Sequence, residues 1–292
     1  MKRRALLAGG VGLLAGGAGM VAYAANRSGS GVLGGGPPAP KPAQEPSPSP
    51  VPPPFDLSRV DASKLVSVTT EAWFSWALLD RKNGALIGSE NFAETNRTCS
   101  MIKSWIAADY LRQKPSPSSA RLADIDIMIR DSDSVSADRL MNEIGRVPSF
   151  TRMRDLCKTT DFTPRNTWSQ AVVSARDMCR VGDTIGKGGV ANPQWTEHLL
   201  ELMRTVRRGS WGVREAFPAE LQGRIAIKNG WDTTTAQGTY HANCLAVHER
   251  WVMVVLTRYP LKISATETYG AEICKSVGTQ LFQSSDLRPL FT

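Results

Sequence analysis

The sequence of 292 residues is poor in the side chains that build metal centres. It has three histidines and five cysteines, and no two cysteines stand in a Cys-x-x-Cys arrangement. Structural zinc sites use about four His or Cys ligands at short spacings. The sequence therefore predicts no metal site, and no pattern in it predicts another cofactor.

Clustered positive charge is also scarce, although the formal net charge is +8. Three of these charges belong to Lys2, Arg3 and Arg4, and no run of Lys and Arg is interleaved with aromatic residues. A nucleic-acid groove needs such a basic stripe, so the sequence predicts no nucleic-acid partner. The hydrophobic content of 41% and the charged content of 21% are typical of a globular protein.

The five cysteines leave two interpretations open. In an exported protein they would form one or two disulfides, with at least one thiol left over because their number is odd. The alternative is that all of them are buried in the reduced form.

Residues 1–25 have the pattern of an export signal. The charged Lys2-Arg3-Arg4 is followed by an apolar stretch over 5–21 and by a small-x-small cleavage sequence at 22–24. The adjacent arginines suit the twin-arginine route. An uncleaved anchor is the alternative, and it would be the only contact with a membrane. In either case we expect an extracytoplasmic protein, secreted or anchored at the cell envelope.

Residues 26–55 are predicted to be a linker. The segment from Pro37 to Pro54 holds ten of the eighteen prolines of the chain. Such a composition favours an extended, semi-rigid spacer. The folded domain is therefore expected to occupy residues 56–292.

The pattern within this domain predicts an α/β (α+β) fold. Apolar strand-like runs lie near both of its ends, and amphipathic helices fill a subdomain of about residues 99–215. This order implies one antiparallel sheet built from distant segments, flanked by terminal helices, beside an all-helical subdomain. The predicted strands cover 73–79, 85–87, 224–228, 241–247 and 251–257, and the predicted helices include 136–144, 150–157, 174–185, 193–206 and 271–282.

Three short motifs follow one another along this domain. Ser100-Met101-Ile102-Lys103 opens a helical run, so Ser100 and Lys103 share one helix face. A lysine held close to a serine can accept its proton and make it a nucleophile. Ser132-Asp133-Ser134 lies on a loop between helices, and Lys228-Asn229-Gly230 ends a strand.

With these motifs the chain resembles the penicillin-recognising serine acyl-transferases, that is, class A β-lactamases and DD-peptidases. That family carries Ser-x-x-Lys, Ser-Asp-Asn and Lys-Thr-Gly in this order. The resemblance covers residues 56–292 and implies a β-lactamase/transpeptidase-like fold and a serine hydrolase of the β-lactamase or DD-peptidase type. It implies that a β-lactam or a peptidoglycan peptide is the partner, without a cofactor, and we expect a monomer.

The resemblance also implies roles for individual residues. Ser100 would attack the carbonyl, and Lys103 would accept its proton. The backbone N–H groups of Ser100 and Trp231 would form the oxyanion hole. Ser132 would relay a proton to the leaving nitrogen, while Lys228 would polarise Ser132 and bind a substrate carboxylate.

Three departures from the family pattern qualify this prediction. Ser134 replaces an Asn and Asn229 replaces a Thr or Ser, although both, with Gly230, are still expected to line the substrate site. Class A β-lactamases also carry a deacylating glutamate in a long loop, whereas residues 158–174 contain no glutamate and Asp161 as the only carboxylate. We therefore expect a persistent acyl-enzyme. The alternative is a catalytically degenerate protein that binds cell-wall ligands without turnover.

The predicted topology also suggests two disulfides. Cys99, beside the nucleophile, would pair with Cys244 on a neighbouring strand. Cys157 would pair with Cys179 between adjacent helices.

Overall fold

The computed structural model describes residues 54–292. The predicted export signal at 1–25 and the predicted linker, up to residue 53, lie outside the described residues. Within residues 54–292, no helix is long and apolar enough to cross a membrane.

The core of the described chain is an antiparallel sheet. Its strands follow the order β2-β1-β8-β7-β5, and β6 also pairs with β7. A separate two-stranded sheet joins β3 and β4. The strands are β1 (Trp73–Asp80), β2 (Leu86–Gly88), β3 (Thr95–Arg97), β4 (Val172–Ser174), β5 (Ala226–Ile227), β6 (Gly230–Thr234), β7 (Thr239–Val247) and β8 (Trp251–Pro260).

Both faces of the sheet are buried, because each strand sends alternate side chains into two different cores. In β8, Val252 and Val254 belong to the core shared with the helices, whereas Met253 and Val255 belong to the core on the opposite face. This explains why the β8 sequence is almost continuously apolar rather than alternating.

The helices between β3 and β5 form the predicted helical subdomain. Its central helix is α1, in which every residue from Lys103 to Leu111 is buried, so neighbours surround it on all sides. The helices of this part are α1 (Lys103–Gln113), α2 (Ser119–Arg130), α3 (Ser134–Ile144), α4 (Arg146–Cys157), α5 (Ala175–Gly186) and α6 (Pro193–Arg204).

The opposite face of the sheet is covered by the C-terminal helices. After the short α7 (Ala219–Gln222), α8 (Thr268–Gln283) packs Ile273, Val277 and Leu281 into the second core, and α9 (Arg288–Phe291) ends the chain. A sheet assembled from both ends of the domain, with helices on both faces, confirms the predicted fold class.

Candidate active site

The residue predicted as nucleophile lies on a tight turn where the sheet region meets the helices. Ser100 belongs to a 3₁₀ turn, Cys99–Ile102, that leads directly into α1. Cys99 has a φ of 46°, a left-handed conformation that costs a non-glycine residue about 1–3 kcal/mol. Its N–H donates to the Ser169 carbonyl (3.1 Å), and the Thr98 N–H donates to the Ala171 carbonyl (2.7 Å). The segment at 158–174 thus holds the strained turn in place.

Lys103 occupies the first position of α1 and is fully buried. Its ammonium donates to the Ser132 carbonyl oxygen (2.6 Å) and to the Ser134 hydroxyl (3.2 Å). Burial lowers the pKa of Lys103 to about 8, although the nearby Asp133 carboxylate opposes that shift. A lysine with such a pKa has a sizeable neutral fraction near neutral pH and can accept a proton.

Ser132 joins the two predicted lysines. Its hydroxyl accepts from Lys228 Nζ at 2.9 Å and lies 3.5 Å from Lys103 Nζ. Ser132 has a φ of 61°, the second left-handed non-glycine conformation at this site. Backbone strain of this kind, held by the surrounding structure, is typical of functional sites.

Lys228 follows β5 directly and is 1% exposed. Burial holds its pKa well below the ordinary value, and the positive charges of Lys103 and Arg208 lower it further. Within residues 54–292, neither lysine forms an ion pair with a carboxylate. An anionic group bound here would favour the charged form of both lysines.

Gly230 brings β6 against the nucleophile. A Cβ atom at this position would lie 2.6 Å from the backbone nitrogens of both Ser100 and Met101, so only glycine permits this approach. Trp231 is the next residue of β6. Ser100 thus contacts β6 one position before Trp231, the other residue predicted to form the oxyanion hole.

Asn229 is placed differently from what its predicted role suggests. Its side-chain amide donates to the carbonyls of Gly209 (3.0 Å) and Trp211 (2.5 Å). This ties the loop at 209–211 to the short segment between β5 and β6 that carries Lys228. The donor group is thus occupied, and only Oδ1, which has no partner among the described residues, is left for a ligand.

Two residues that sequence reasoning missed also belong to the site. Arg208 lies with its guanidinium 5.4 Å from the centroid of the Trp231 ring, and its charge lowers the pKa of both lysines. Trp168 covers Lys103, with Nζ 4.9 Å from its ring centroid. No local motif marks either residue, because both reach the site through loops.

Both predicted disulfides are wrong. Within the described residues all five cysteines are free and buried. The Cys179 thiol faces the sheet and donates to the Ala77 carbonyl (3.4 Å), which turns it away from Cys157. Cys244 has Cys274 of α8 as its thiol neighbour instead of Cys99. The structure agrees with the alternative, in which all the cysteines are buried in the reduced form.

Within residues 54–292, no three His, Cys, Asp or Glu side chains lie close enough together to hold a metal ion.

Fold and motif geometry define a protein of the β-lactamase and penicillin-binding superfamily. The chain belongs to the β-lactamase enzyme family, whose family model matches residues 114–284. No curated protein sequence matches it.

Solved structures agree at the level of the fold. PBP-A superposes with a TM-score of 0.61 at 15% identity, covering 76% of this chain and 93% of that one. A β-lactamase from Xanthomonas campestris pv. campestris superposes with a TM-score of 0.58 at 16% identity, covering 76% of this chain and 93% of the β-lactamase. A β-lactamase from Streptosporangium roseum also superposes with a TM-score of 0.58, at 13% identity, covering 73% of this chain and 92% of the β-lactamase. Identities this low establish a shared fold, not a shared substrate.

Proposed function

We propose that the protein is an exported serine acyl-hydrolase that forms an acyl-enzyme with β-lactams or cell-wall peptides and releases it slowly. The observation that carries the proposal is the convergence of Lys103 and Lys228 on the Ser132 hydroxyl beside the Ser100 turn. Buried lysines of lowered pKa, without carboxylate partners, are suited to proton transfer and to holding an anionic substrate.

The acylation step follows from this geometry. Ser100 Oγ attacks the carbonyl carbon while neutral Lys103 accepts its proton. The N–H groups of Ser100 and Trp231 stabilise the charge that develops on the carbonyl oxygen. Ser132 donates a proton to the leaving nitrogen and is reprotonated through the lysines.

A substrate carboxylate would bind next to this machinery. Arg208, held over the Trp231 ring (5.4 Å), supplies positive charge, and Lys228 Nζ can donate a hydrogen bond to the carboxylate. β-Lactams and the free carboxyl terminus of a cell-wall peptide both carry such a carboxylate.

Slow deacylation is proposed from the segment at 158–174. Asp161, its only carboxylate, is bound by Arg176 through two hydrogen bonds (2.6 and 2.7 Å) and accepts a third from Ser174 (2.6 Å). Because its oxygens accept these hydrogen bonds, the Asp161 carboxylate stabilises the segment and is not free to activate a water molecule. Without a positioned general base, hydrolysis of the acyl-enzyme lacks about 10²–10⁴-fold of assistance.

Intact-mass analysis after incubation with penicillin G tests the proposal. We expect a stable adduct of one penicillin on the wild-type protein and none on Ser100→Ala, while Ser116→Ala, a change at an exposed serine, leaves the adduct in place. Fast turnover without an adduct would contradict slow deacylation. Saturable binding without an adduct, with penicillin G and with an activated ester, would identify a binding protein instead.

The same proposal places the protein outside the cytoplasm. It is supported by the charged residues 2–4 and the apolar stretch at 5–21. Fractionation of cells that express the full chain would test it, and an exclusively cytoplasmic, full-length product would contradict it.

A further inference from the structure

A polar cavity of about 500 Å³ lies at the far end of the strand that passes the nucleophile. It is bounded by β3, by the far end of β6 and by the segment at 158–174. β3 leads within three residues to Ser100, and β6 begins at Gly230 next to the same serine. Two of the strands that line the cavity, β3 and β6, thus also lead to the nucleophile. Its main polar side chains are Arg97, Arg165, Asn166, Gln170, Gln237 and Arg258.

Positive charge dominates this cavity. Arg97 forms an ion pair with Asp232 (2.7 Å). Arg165 and Arg258 form no ion pair with any carboxylate of residues 54–292. Arg258 is positioned over the Trp73 ring, with its guanidinium carbon 5.0 Å from the centroid. Two arginines without carboxylates leave an excess of positive charge in a concave site.

A hydrogen-bonded chain fixes the back wall of the cavity. Arg97 Nη1 donates to Thr234 Oγ1 (2.5 Å), which donates to His241 Nε2 (3.0 Å), and His241 Nδ1 donates to Asn96 Oδ1 (2.7 Å). The Asn96 amide in turn donates to Asn243 Oδ1 (3.0 Å), which settles the direction of the chain. Arg97 is therefore held rigidly at the back of the cavity, with its charge balanced by Asp232.

We propose that this cavity binds a carboxylate group through Arg165 and Arg258. Guanidinium groups pair with carboxylates through two parallel hydrogen bonds, and the exposed amides of Asn166 and Gln170 can add further donors. The carboxylate could belong to a free small acid or to the acyl donor that reacts at Ser100.

The length of β6 fits the second source. Thr234 at the cavity lies four positions after Gly230 at the nucleophile, a span of about 13 Å at the rise of a β-strand. An extended peptide covers this distance with about four residues. A carboxylate at the far end of a peptide acyl donor would therefore reach the cavity, an assignment that rests on the proposed function.

Calorimetric titration of the full chain with glutarate tests the site itself. We expect glutarate to bind and its uncharged diamide, glutaramide, not to bind. Arg165→Gln and Arg258→Gln should each weaken glutarate binding about tenfold, the usual effect of losing one charge-assisted hydrogen bond. Arg154→Gln, a change at an exposed arginine of α4, should leave binding unchanged.

Arg165 is exposed, so its replacement is expected to leave the fold intact, which circular dichroism checks. Absence of saturable glutarate binding, or equal binding by wild type and Arg165→Gln, would overturn the proposal.

A second experiment distinguishes the two sources of the carboxylate. Two thioester acyl donors of equal length, one ending in a carboxylate and one in a carboxamide, are compared by the rate of Ser100 acylation. A preference of about tenfold for the carboxylate donor, lost in Arg165→Gln, assigns the site to the acyl donor. Equal rates together with glutarate binding assign it to a free acid. Absence of acylation by both donors contradicts the proposed function and leaves the titration as the test of the site.

Discussion

Lys103 Nζ lies 4.9 Å from the centroid of the Trp168 ring, so an aromatic face covers the lysine on the side of the segment at 158–174. Trp168 is 7% exposed, and its indole N–H donates to Asp138 (2.6 Å). The Trp168 side chain that covers the proposed proton acceptor thus has no basic group.

Trp168→Glu should convert slow deacylation into turnover. A carboxylate in place of the ring would lie beside Lys103 and could activate a water molecule for attack on the acyl group. We expect the penicilloyl adduct to disappear at least 10²-fold faster, in the range of general-base catalysis. Mass spectrometry after removal of free penicillin measures this rate.

The matched control for this change is Trp168→Gln, which has the same shape as the glutamate variant without its basic group. Both variants open the same space, so any effect of lost packing appears in both. Equal deacylation rates in the two folded variants would contradict the predicted role of the carboxylate.

The rate of acylation should depend on pH through Lys103. The neutral amine accepts the proton, and the pKa of Lys103 is about 8, so the rate should rise with pH and level off above pH 8. Stopped-flow measurement with a neutral activated ester gives this profile without a contribution from substrate charge.

Two substitutions should move the midpoint of this profile in opposite directions. The Arg208 charge lowers the pKa of Lys103, so Arg208→Gln should shift the midpoint upward. The Asp133 carboxylate raises that pKa, so Asp133→Asn should shift it downward. Asn can still accept from the Ser136 N–H that Asp133 caps (2.7 Å), which keeps α3 intact. Identical midpoints would rule out Lys103 as the titrating base.

Gly230→Ala should disable acylation, because the new Cβ would lie 2.6 Å from the backbone nitrogen of Ser100. The strand or the turn must move, and loss of one oxyanion-hole donor typically lowers the rate about 10²–10³-fold. Gly223→Ala is the matched control, since nothing lies within 4 Å of a Cβ there. Acylation of Gly230→Ala at the wild-type rate would show that β6 does not contribute to the site.

Acid should destabilise the protein through His241. Burial, with the charges of Arg97 and Arg258, lowers the pKa of this imidazole from its ordinary value of 6.5 to about 3. The unfolded chain therefore binds more protons between pH 6.5 and pH 3, and the stability contributed by neutral His241 is lost as pH falls through this window.

The loss amounts to about 2 kcal/mol of unfolding free energy between pH 7 and pH 5, at about 1.36 kcal/mol for each pH unit below the pKa of the unfolded chain. Denaturant titrations of wild type and His241→Gln at pH 7 and pH 5 measure it. The stability advantage of the wild type should shrink by about that amount at pH 5. An advantage that is equal at both pH values would contradict the prediction.

The sequence predicted the architecture well because its long elements have strong patterns. The β1, β7 and β8 runs and the helices predicted at 136–144, 150–157, 174–185, 193–206 and 271–282 lie within a few residues of their predicted positions. β3 and β4 were not predicted, since three-residue strands carry too little periodicity. The predicted strand at 224–228 is reduced to Ala226–Ile227, because the N–H groups of Arg224 and Ile225 donate to carbonyls of the preceding turn. The Lys228 N–H still donates to the Leu245 carbonyl of β7 (3.0 Å).

The candidate site could be predicted in part. Ser100, Lys103, Ser132 and Lys228 belong to short motifs, and the structure brings the last three together. Arg208 and Trp168 contribute through tertiary contacts that no local spacing encodes. The disulfide predictions failed for a related reason, since cysteine pairing depends on where each thiol points.

The five buried thiols have a consequence for how the protein can be made and monitored. Burial raises the pKa of Cys99 and Cys157 to about 12, so the reactive thiolate is scarce in the native state. Because no disulfide joins residues 54–292, we expect this part of the chain to fold in a reducing cytosol. A thiol reagent should then modify the chain only when it opens, which makes the cysteines built-in reporters of local and global unfolding.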